Sequence, residues 1–290
     1  MSRAVLTLAV GKRKFAEQAL GLGRSLRLIG DPTPRVVVTD MLDLDWAPAF
    51  DHVVPYQGDL RMIFFDKLIG LEATDANEIL FIDADMLAFR PLEPIFRAAA
   101  GCDFAVQGQW ISDGDWYTNV AELCRRYHVP SIVQLNGGMI YYRRTPEFAA
   151  FRNTLREMAD RATEIGVARD DPLIPDEPII GLAMAQTGFG RVWPEDSDFH
   201  NSATGLIGQL RLNVRRGECG FLCRRYTVRY VEPILFHASR YSNFLIYWRQ
   251  LATLHRLETY EKSRPYGYLS PWHKLSRSVQ RRLVKWVYRP

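Results

Sequence analysis

Four small groups of residues in this chain have the types and spacing that chemistry requires. The first is Ile79-Leu80-Phe81-Ile82-Asp83-Ala84-Asp85, an apolar run that ends abruptly in two carboxylates at i and i+2. Alternate side chains of an extended chain share a face, so Asp83 and Asp85 point together from the end of a buried strand. Two anions that close at the edge of an α/β sheet call for a cation between them. The second group is Gln134-Leu135-Asn136-Gly137-Gly138, where paired glycines let a backbone approach a ligand and Asn136 offers a donor and an acceptor. The third is Asp176-Glu177-Pro178, two acids at the mouth of a helix whose dipole favours negative charge. The fourth is Phe236-His237-Ala238-Ser239-Arg240, where an imidazole follows an apolar strand and a guanidinium suited to phosphate oxygens lies three residues on.

Each group has alternative readings. Asp83-x-Asp85 fits a metal–diphosphate site, the nucleophile and acid of a haloacid-dehalogenase-type phosphatase, or a plain turn, since Asp is common after strands. The phosphatase version places its strand near the start of the fold, whereas two strands precede Asp83; Asp170-Asp171 would be its second acidic pair. Asn136-Gly137-Gly138 also reads as an ordinary turn into a strand, and Asp176-Glu177 as helix capping. A histidine joined to two carboxylates favours Mn2+ over Mg2+, because imidazole suits transition metals. The aromatic and acidic stretch Trp110 to Trp116, with Asp113 and Asp115, is either an acceptor-contacting lid or a mobile surface loop.

The elements that must position these residues follow from pattern. Val5 to Val10 is a short strand, Phe15 to Leu28 an amphipathic helix, Val36 to Asp40 a second strand and His52 to Val54 a third. A helix over Leu60 to Leu71 precedes the Ile79 to Ile82 strand. Strands are expected at Phe104 to Val106, Gly138 to Tyr142 and within Thr227 to Phe236, and helices at Glu147 to Ile165, Ile179 to Gln186 and Phe244 to Tyr260. This rhythm argues for an α/β layer sandwich with a largely parallel sheet, whose ligands bind beyond the carboxyl ends of the strands.

Composition sets the remaining bounds. The 290 residues are 47% hydrophobic and 24% charged, as in globular proteins. A formal charge of +4, from 37 Lys+Arg against 33 Asp+Glu, is too mild to imply nucleic acid as a partner. No apolar run approaches the roughly 20 residues that span a bilayer. Met1 to Leu8 lacks the order of a secretion signal, so Cys102, Cys124, Cys219 and Cys223 are expected as reduced thiols of a cytoplasmic protein. Residues 1–260 are read as one catalytic domain and 261–290 as a basic tail. In that tail Trp272, Leu275, Val279, Leu283 and Trp286 form a helical stripe among Lys274, Arg277, Arg281, Arg282, Lys285 and Arg289. Such a helix over 272–289 suits an anionic membrane surface, or equally a docking face on protein.

In this order the motifs resemble the glycosyltransferases of the GT-A fold, and among them the retaining family that contains glycogenin and bacterial lipopolysaccharide galactosyltransferases. The resemblance runs from Val5 to about Ser242. It implies a mixed, mostly parallel sheet flanked by helices, a nucleotide-diphosphate sugar as donor (a UDP-sugar), a glycan or lipid-linked hydroxyl as acceptor, and Mn2+ (or Mg2+) as cofactor. Phe81-Ile82-Asp83-Ala84-Asp85 is similar to the family's D-x-D and His237 to its third metal ligand. Asn136-Gly137-Gly138 resembles the turn beside the donor sugar, and Val10 and Phe15 fall where the base sits. Lys67 matches a basic residue that touches the donor. Asp176-Glu177 stands where the family has Asp-Gln near the reacting carbon, and Asn243 where it has a basic residue gripping the diphosphate, with Arg240 across the turn. Gly11-Lys12-Arg13 replaces a polar pair after the first strand. A haloacid-dehalogenase-like phosphatase and a non-catalytic sugar-nucleotide-binding protein remain the alternatives.

Overall fold

The computed structural model describes residues 2–59, 62–63, 65–167, 173–224 and 228–262. The chain opens with β1 (Arg3–Ala9), α1 (Arg13–Leu28), β2 (Arg35–Thr39) and β3 (His52–Pro55). A 3-10 turn at Phe65–Leu68, α2 (Gly70–Ala73), β4 (Glu78–Ile82) and β5 (Met86–Ala88) follow. It continues through α3 (Glu93–Ala98), β6 (Phe104–Ile111), the two-residue strands β7 (Asp115–Trp116) and β8 (Thr118–Asn119), and α4 (Val120–Tyr127). After β9 (Ile132–Arg143) come α5 (Pro146–Asp160), α6 (Ala162–Ile165), α7 (Asp176–Thr187) and β10 (Arg191–Trp193). The last described part holds β11 (His200–Ser202), β12 (Leu206–Asn213), β13 (Glu218–Cys223), β14 (Arg229–Val231), β15 (Leu235–His237) and α8 (Leu245–Lys262).

Seven strands form the central sheet in the order β10-β6-β9-β4-β1-β2-β3. β1 runs parallel to both β2 and β4, β2 to β3 and β10 to β6, while β9 is antiparallel to its neighbours β4 and β6. All five residues of β4 are buried, as an apolar run without alternation requires of a strand covered on both faces. Ile79 and Phe81 pack on one side with residues of α4, α5 and α7; Leu80 and Ile82 pack on the other with α1 and α3. Chain order turns back between β1 and β4, so the crevice beyond their carboxyl ends is where a ligand of such a sheet belongs. Asp83 and Asp85 leave β4 there.

Several expected elements take a different form. From Phe65 onward, the single helix expected over Leu60 to Leu71 is a 3-10 turn followed by the one-turn α2. Tyr142 Oη divides them, donating to the Lys67 carbonyl (2.9 Å) and accepting the Gly70 N–H (3.1 Å), groups a continuous helix would have used for itself. The Glu147 to Ile165 helix is interrupted at Arg161, between α5 and α6. α7 begins at Asp176, so both acids lie inside its first turn. β9 is longer than the Gly138 to Tyr142 strand, so Asn136-Gly137-Gly138 lies within a strand and not in a turn before it. The Thr227 to Phe236 segment carries two strands, β14 and the start of β15.

The chain to Leu254 forms one compact unit and a second begins at His255, of which the structure describes the end of α8. Asp170-Asp171 and the basic stripe over 272–289 lie outside the described residues. No helix among the described residues is long and apolar enough to cross a membrane.

Candidate functional site

β15 delivers His237 to the acidic doublet by register. It pairs antiparallel with β5, setting His237 opposite Met86, the residue after Asp85. The Ala238 N–H donates to the Asp85 carbonyl at 3.2 Å and the Ser239 N–H to the Asp85 carboxylate. His237 Nε2 then stands 3.2 Å from Asp85 Oδ1 and 3.9 Å from Asp83 Oδ2. One ligand atom from each of Asp83, Asp85 and His237 lies within 4.8 Å of the other two.

Asn136 fixes the tautomer of that histidine. Its Oδ1 accepts the Gly138 N–H at 3.0 Å, so the atom must be the amide oxygen, and the same oxygen faces His237 Nδ1 at 3.1 Å. Nδ1 must therefore carry the hydrogen, which turns the Nε2 lone pair toward two carboxylates. Only a proton or a cation between them makes that arrangement favourable. Burial opposes a charged imidazole, yet Asp85 and Asp83 outweigh it and lift the His237 pKa. Burial raises the Asp83 carboxyl despite Lys67 and His237. It would raise Asp85 too, but His237 and the Ser239 N–H hold that carboxyl low. Two carboxylates and an imidazole, its other nitrogen tied to an amide oxygen, are a donor set that can hold a metal ion.

A buried ion network adjoins the triad. Lys67 Nζ is 3.1 Å from Asp176 Oδ2 and 3.5 Å from Asp83 Oδ1, and it donates to the Gly137 carbonyl at 3.0 Å. Burial alone would strip this ammonium of its proton; Asp176, Asp83 and Glu177 together raise its pKa instead. Glu177 Oε1 accepts the Gly137 N–H at 2.8 Å, and Glu177 Oε2 accepts from the Tyr117 hydroxyl at 3.1 Å. When ionised, Asp83, Asp85, Asp176 and Glu177 outnumber Lys67 and a protonated His237, which leaves the cluster electrostatically short of a cation.

The β9 distortion brings these parts together. Val106 pairs with Ile140 and Gly108 with Leu135, so on the β6 side Asn136 to Met139 stand opposite Gln107 alone, while Met139 stays paired with Ile82 of β4. A Cβ at Gly137 would meet Asp176 Oδ2 at 2.8 Å and Lys67 Nζ at 3.1 Å. One at Gly138 would meet Met86 Cε at 2.5 Å and His237 Nδ1 at 2.8 Å. Both glycines are there because no side chain fits between the ion network and the triad.

The remaining expected residues sit around this centre. Val10 is buried at the carboxyl end of β1, and Phe15 holds a half-exposed ring in the first turn of α1. Arg240 falls in the 3-10 turn Ser239–Asn243; its side chain is outside the described part. Asn243, in place of a basic residue, accepts from Lys14 Nζ at 2.6 Å, and Ser242 Oγ lies 3.2 Å from the same ammonium. Sequence reasoning missed Lys14 and Tyr117. Lys14 meets its partners 228 and 229 positions away, and Tyr117 lies one residue beyond the Trp110 to Trp116 stretch read as a lid or surface loop.

No family model matches the sequence, and no curated protein matches it. Solved structures do. The galactosyltransferase LgtC in complex with donor and acceptor sugar analogs is 13% identical, with a TM-score of 0.53 over 91% of this chain and 98% of that one. An active-site mutant of LgtC gives the same identity and TM-score over 87% and 95%. The glycosyltransferase GlyE of Streptococcus pneumoniae TIGR4 is 13% identical with a TM-score of 0.47; the match covers 69% of this chain and spans about half (47%) of GlyE. The fold is thus the GT-A fold of glycosyltransferases, with a seven-stranded, mostly parallel central sheet.

Proposed function

We propose that this chain is a metal-dependent glycosyltransferase that moves a sugar from a nucleotide-diphosphate donor, a UDP-sugar, to a glycan or lipid-linked hydroxyl with retention at the anomeric carbon. The convergence of Asp83, Asp85 and His237 at the β1–β4 crevice of a GT-A fold carries this reading. Mn2+ (or Mg2+) held by those three residues would supply Lewis-acid stabilisation of charge on the departing diphosphate.

The chain's own groups have the following parts. Lys67 keeps a fixed positive charge in a buried place, where it acts more strongly than in water. Its bond to the Gly137 carbonyl holds the glycine pair against the donor sugar. Lys14, carried to Ser242 and Asn243, provides on α1 the cation that position 243 lacks, and Arg240, three positions earlier in the chain, is the second donor-binding cation. Asn136 orients His237 through Oδ1 and offers its Nδ2 end to the donor. Asp176 and Glu177 face the reacting carbon; Glu177 accepts from the Gly137 N–H and the Tyr117 hydroxyl. The bond broken joins the anomeric carbon to the diphosphate oxygen, the acceptor hydroxyl oxygen forms the new one, and its proton leaves on the released diphosphate. Val10 and Phe15 flank the base, and the basic segment 272–289 holds the enzyme at an anionic membrane surface near a lipid-linked acceptor.

The GT-A fold favours the transferase over the phosphatase alternative. A panel of nucleotide sugars, each with and without Mn2+, tests the reading by thermal stabilisation and then by hydrolysis. A true donor at a hundredfold excess over its Kd adds about 2.7 kcal/mol, several degrees in midpoint for a chain this long. Stabilisation with slow release of nucleoside diphosphate, both lost in Asp83→Asn, supports a transferase. Stabilisation without product points to a binding protein, and indifference to every donor and to Mn2+ rejects both.

A further inference from the structure

Tyr117 is the single residue between β7 and β8, and its φ of +61° lies in the left-handed region. Glycine or asparagine takes that conformation readily; a bulky aromatic residue does so under strain. Strain of this kind persists only where surrounding structure enforces it, and it clusters at functional sites. The hairpin is braced on both sides. Trp116 packs edge-on against the Tyr117 ring with centroids 5.5 Å apart, Val120 N–H donates to the Gly114 carbonyl at 2.9 Å, and Asn119 Oδ1 caps α4 by accepting the Glu122 N–H at 2.8 Å.

The left-handed turn sends the Tyr117 ring inward, where its hydroxyl stands 3.1 Å from Glu177 Oε2. An ionised carboxylate only accepts, so the phenol is the donor. Glu177 is thereby held at both oxygens, one by the hairpin tip and the other by the Gly137 N–H, whose own residue holds Lys67 through its carbonyl. The phenol adds a tie at Oε2 to the one that the Gly137 N–H makes at Oε1. Tied at both, it has one orientation in the cluster with Asp176 and Lys67. Burial first, then Glu177 and Asp176, push the Tyr117 pKa up, so the hydroxyl keeps the proton it donates.

We propose that Tyr117 is the positioning residue of Glu177, and that its left-handed backbone exists to set its hydroxyl against that carboxylate. The inference rests on the glycosyltransferase reading and deepens it: the stretch expected as a lid or mobile loop is a structural support of the reacting centre. Conformation of the 112–119 hairpin and orientation of Glu177 are then one variable.

Full-length wild type, Tyr117→Phe, Glu177→Ala and the double variant are assayed with Mn2+ and the nucleotide sugar the wild type hydrolyses fastest. Losing a hydrogen bond to a charged group is expected to lower kcat for Tyr117→Phe by about tenfold, with KM for the donor within about threefold. In the Glu177→Ala background the same substitution is expected to do nothing further. A Tyr117→Phe enzyme with kcat within twofold of wild type overturns the proposal, as does an equal loss in both backgrounds. Asp83→Asn is the control for the underlying reading. If wild type turns over no nucleotide sugar and Mn2+ shifts the unfolding midpoint of wild type and Asp83→Asn alike, that reading fails. Thermal unfolding of the same four proteins then decides the pinning alone: midpoint shifts that are non-additive between 117 and 177 support it, and additive shifts overturn it.

Discussion

Replacing Asn136 by alanine tests the metal site through a residue that is not one of its proposed ligands. The substitution removes one oxygen that serves two buried donors, the Gly138 N–H at 3.0 Å and His237 Nδ1 at 3.1 Å. Leaving a buried donor unpaired costs about 1–3 kcal/mol, so with two donors affected the metal-free protein is expected to lose about 2–6 kcal/mol. The Nδ1–H tautomer also loses its support, and with it the orientation of the Nε2 lone pair toward Asp83 and Asp85. Outer-shell losses of this kind weaken metal binding about 10- to 100-fold, or roughly 1.4–2.7 kcal/mol. Asn136→Asp keeps an acceptor at the same place and is expected to bind within about threefold of wild type, since a carboxylate supports a metal-ligating imidazole equally well. Free Mn2+ is counted by electron paramagnetic resonance during titration of the full chain, after circular dichroism has shown each variant folded. A folded Asn136→Ala protein that binds Mn2+ within twofold of wild type would refute the reasoning, for it would show that the imidazole needs no help from Asn136.

Three further outcomes are expected. Lys67→Met leaves Asp176 buried without its cation, and should cost about 3–5 kcal/mol in urea unfolding; adding Asp176→Asn should restore part of that loss, whereas a strictly additive double variant would deny the pairing. Lys14→Ala should raise donor KM about fivefold and flatten its dependence on salt, as loss of one charge contact to a phosphate would, with kcat changing less; an unchanged KM at low salt would remove Lys14 from the donor site. At the far end of the sheet, burial would lift the Asp51 carboxyl, but the Arg35 hydrogen bonds and charge hold it below its ordinary value. A depressed folded pKa gives stability that is present above the unfolded value of 3.8 and is lost as pH falls through the folded one. Asp51→Asn should therefore cost up to about 1 kcal/mol at neutral pH, given its partial exposure, and progressively less in acid; a cost that grows below pH 4 would contradict that sign.

The parts of the site legible in the sequence are those whose signal is local. Asp83 and Asp85 stand out because an apolar run of a fully covered strand stops at them, and i,i+2 spacing needs no tertiary knowledge. Asn136-Gly137-Gly138 stands out because two glycines in succession are costly unless space demands them. Its placement was harder: the glycines read as a turn, whereas they form a bulge inside a twelve-residue strand, a difference set by pairing with β6 and invisible from β9 alone. Lys67 illustrates the other limit. As part of an amphipathic helix it would face solvent; Tyr142, 75 residues away, breaks that helix and lets the ammonium turn inward. The left-handed backbone of Tyr117 has no sequence marker, because the residue type argues against it. Of the second sheet, β11-β15-β5, the sequence pointed to β15 alone, since β5 and β11 are only three residues long and carry no pattern of their own.

That short sheet explains why the cluster needs a chain of this length. β4 can present the two carboxylates unaided, but a third ligand must arrive from outside the central sheet, at a fixed height and with its ring turned. β5 continues directly from Asp85 and pairs with β15, so the hydrogen bonds that hold the two strands also set the distance from Asp85 to His237. The bulge in β9 supplies the rotation, through Asn136 Oδ1 on Nδ1. Distance and rotation are thus controlled by two different sheets that meet at Gly138, where the N–H holds Asn136 and the carbonyl accepts the Asp83 N–H at 2.8 Å. Gly138→Ala is the substitution that disturbs both at once: its Cβ would fall 2.9 Å from Asn136 Oδ1 and 2.8 Å from His237 Nδ1, pushing apart the two atoms whose contact orients the ring.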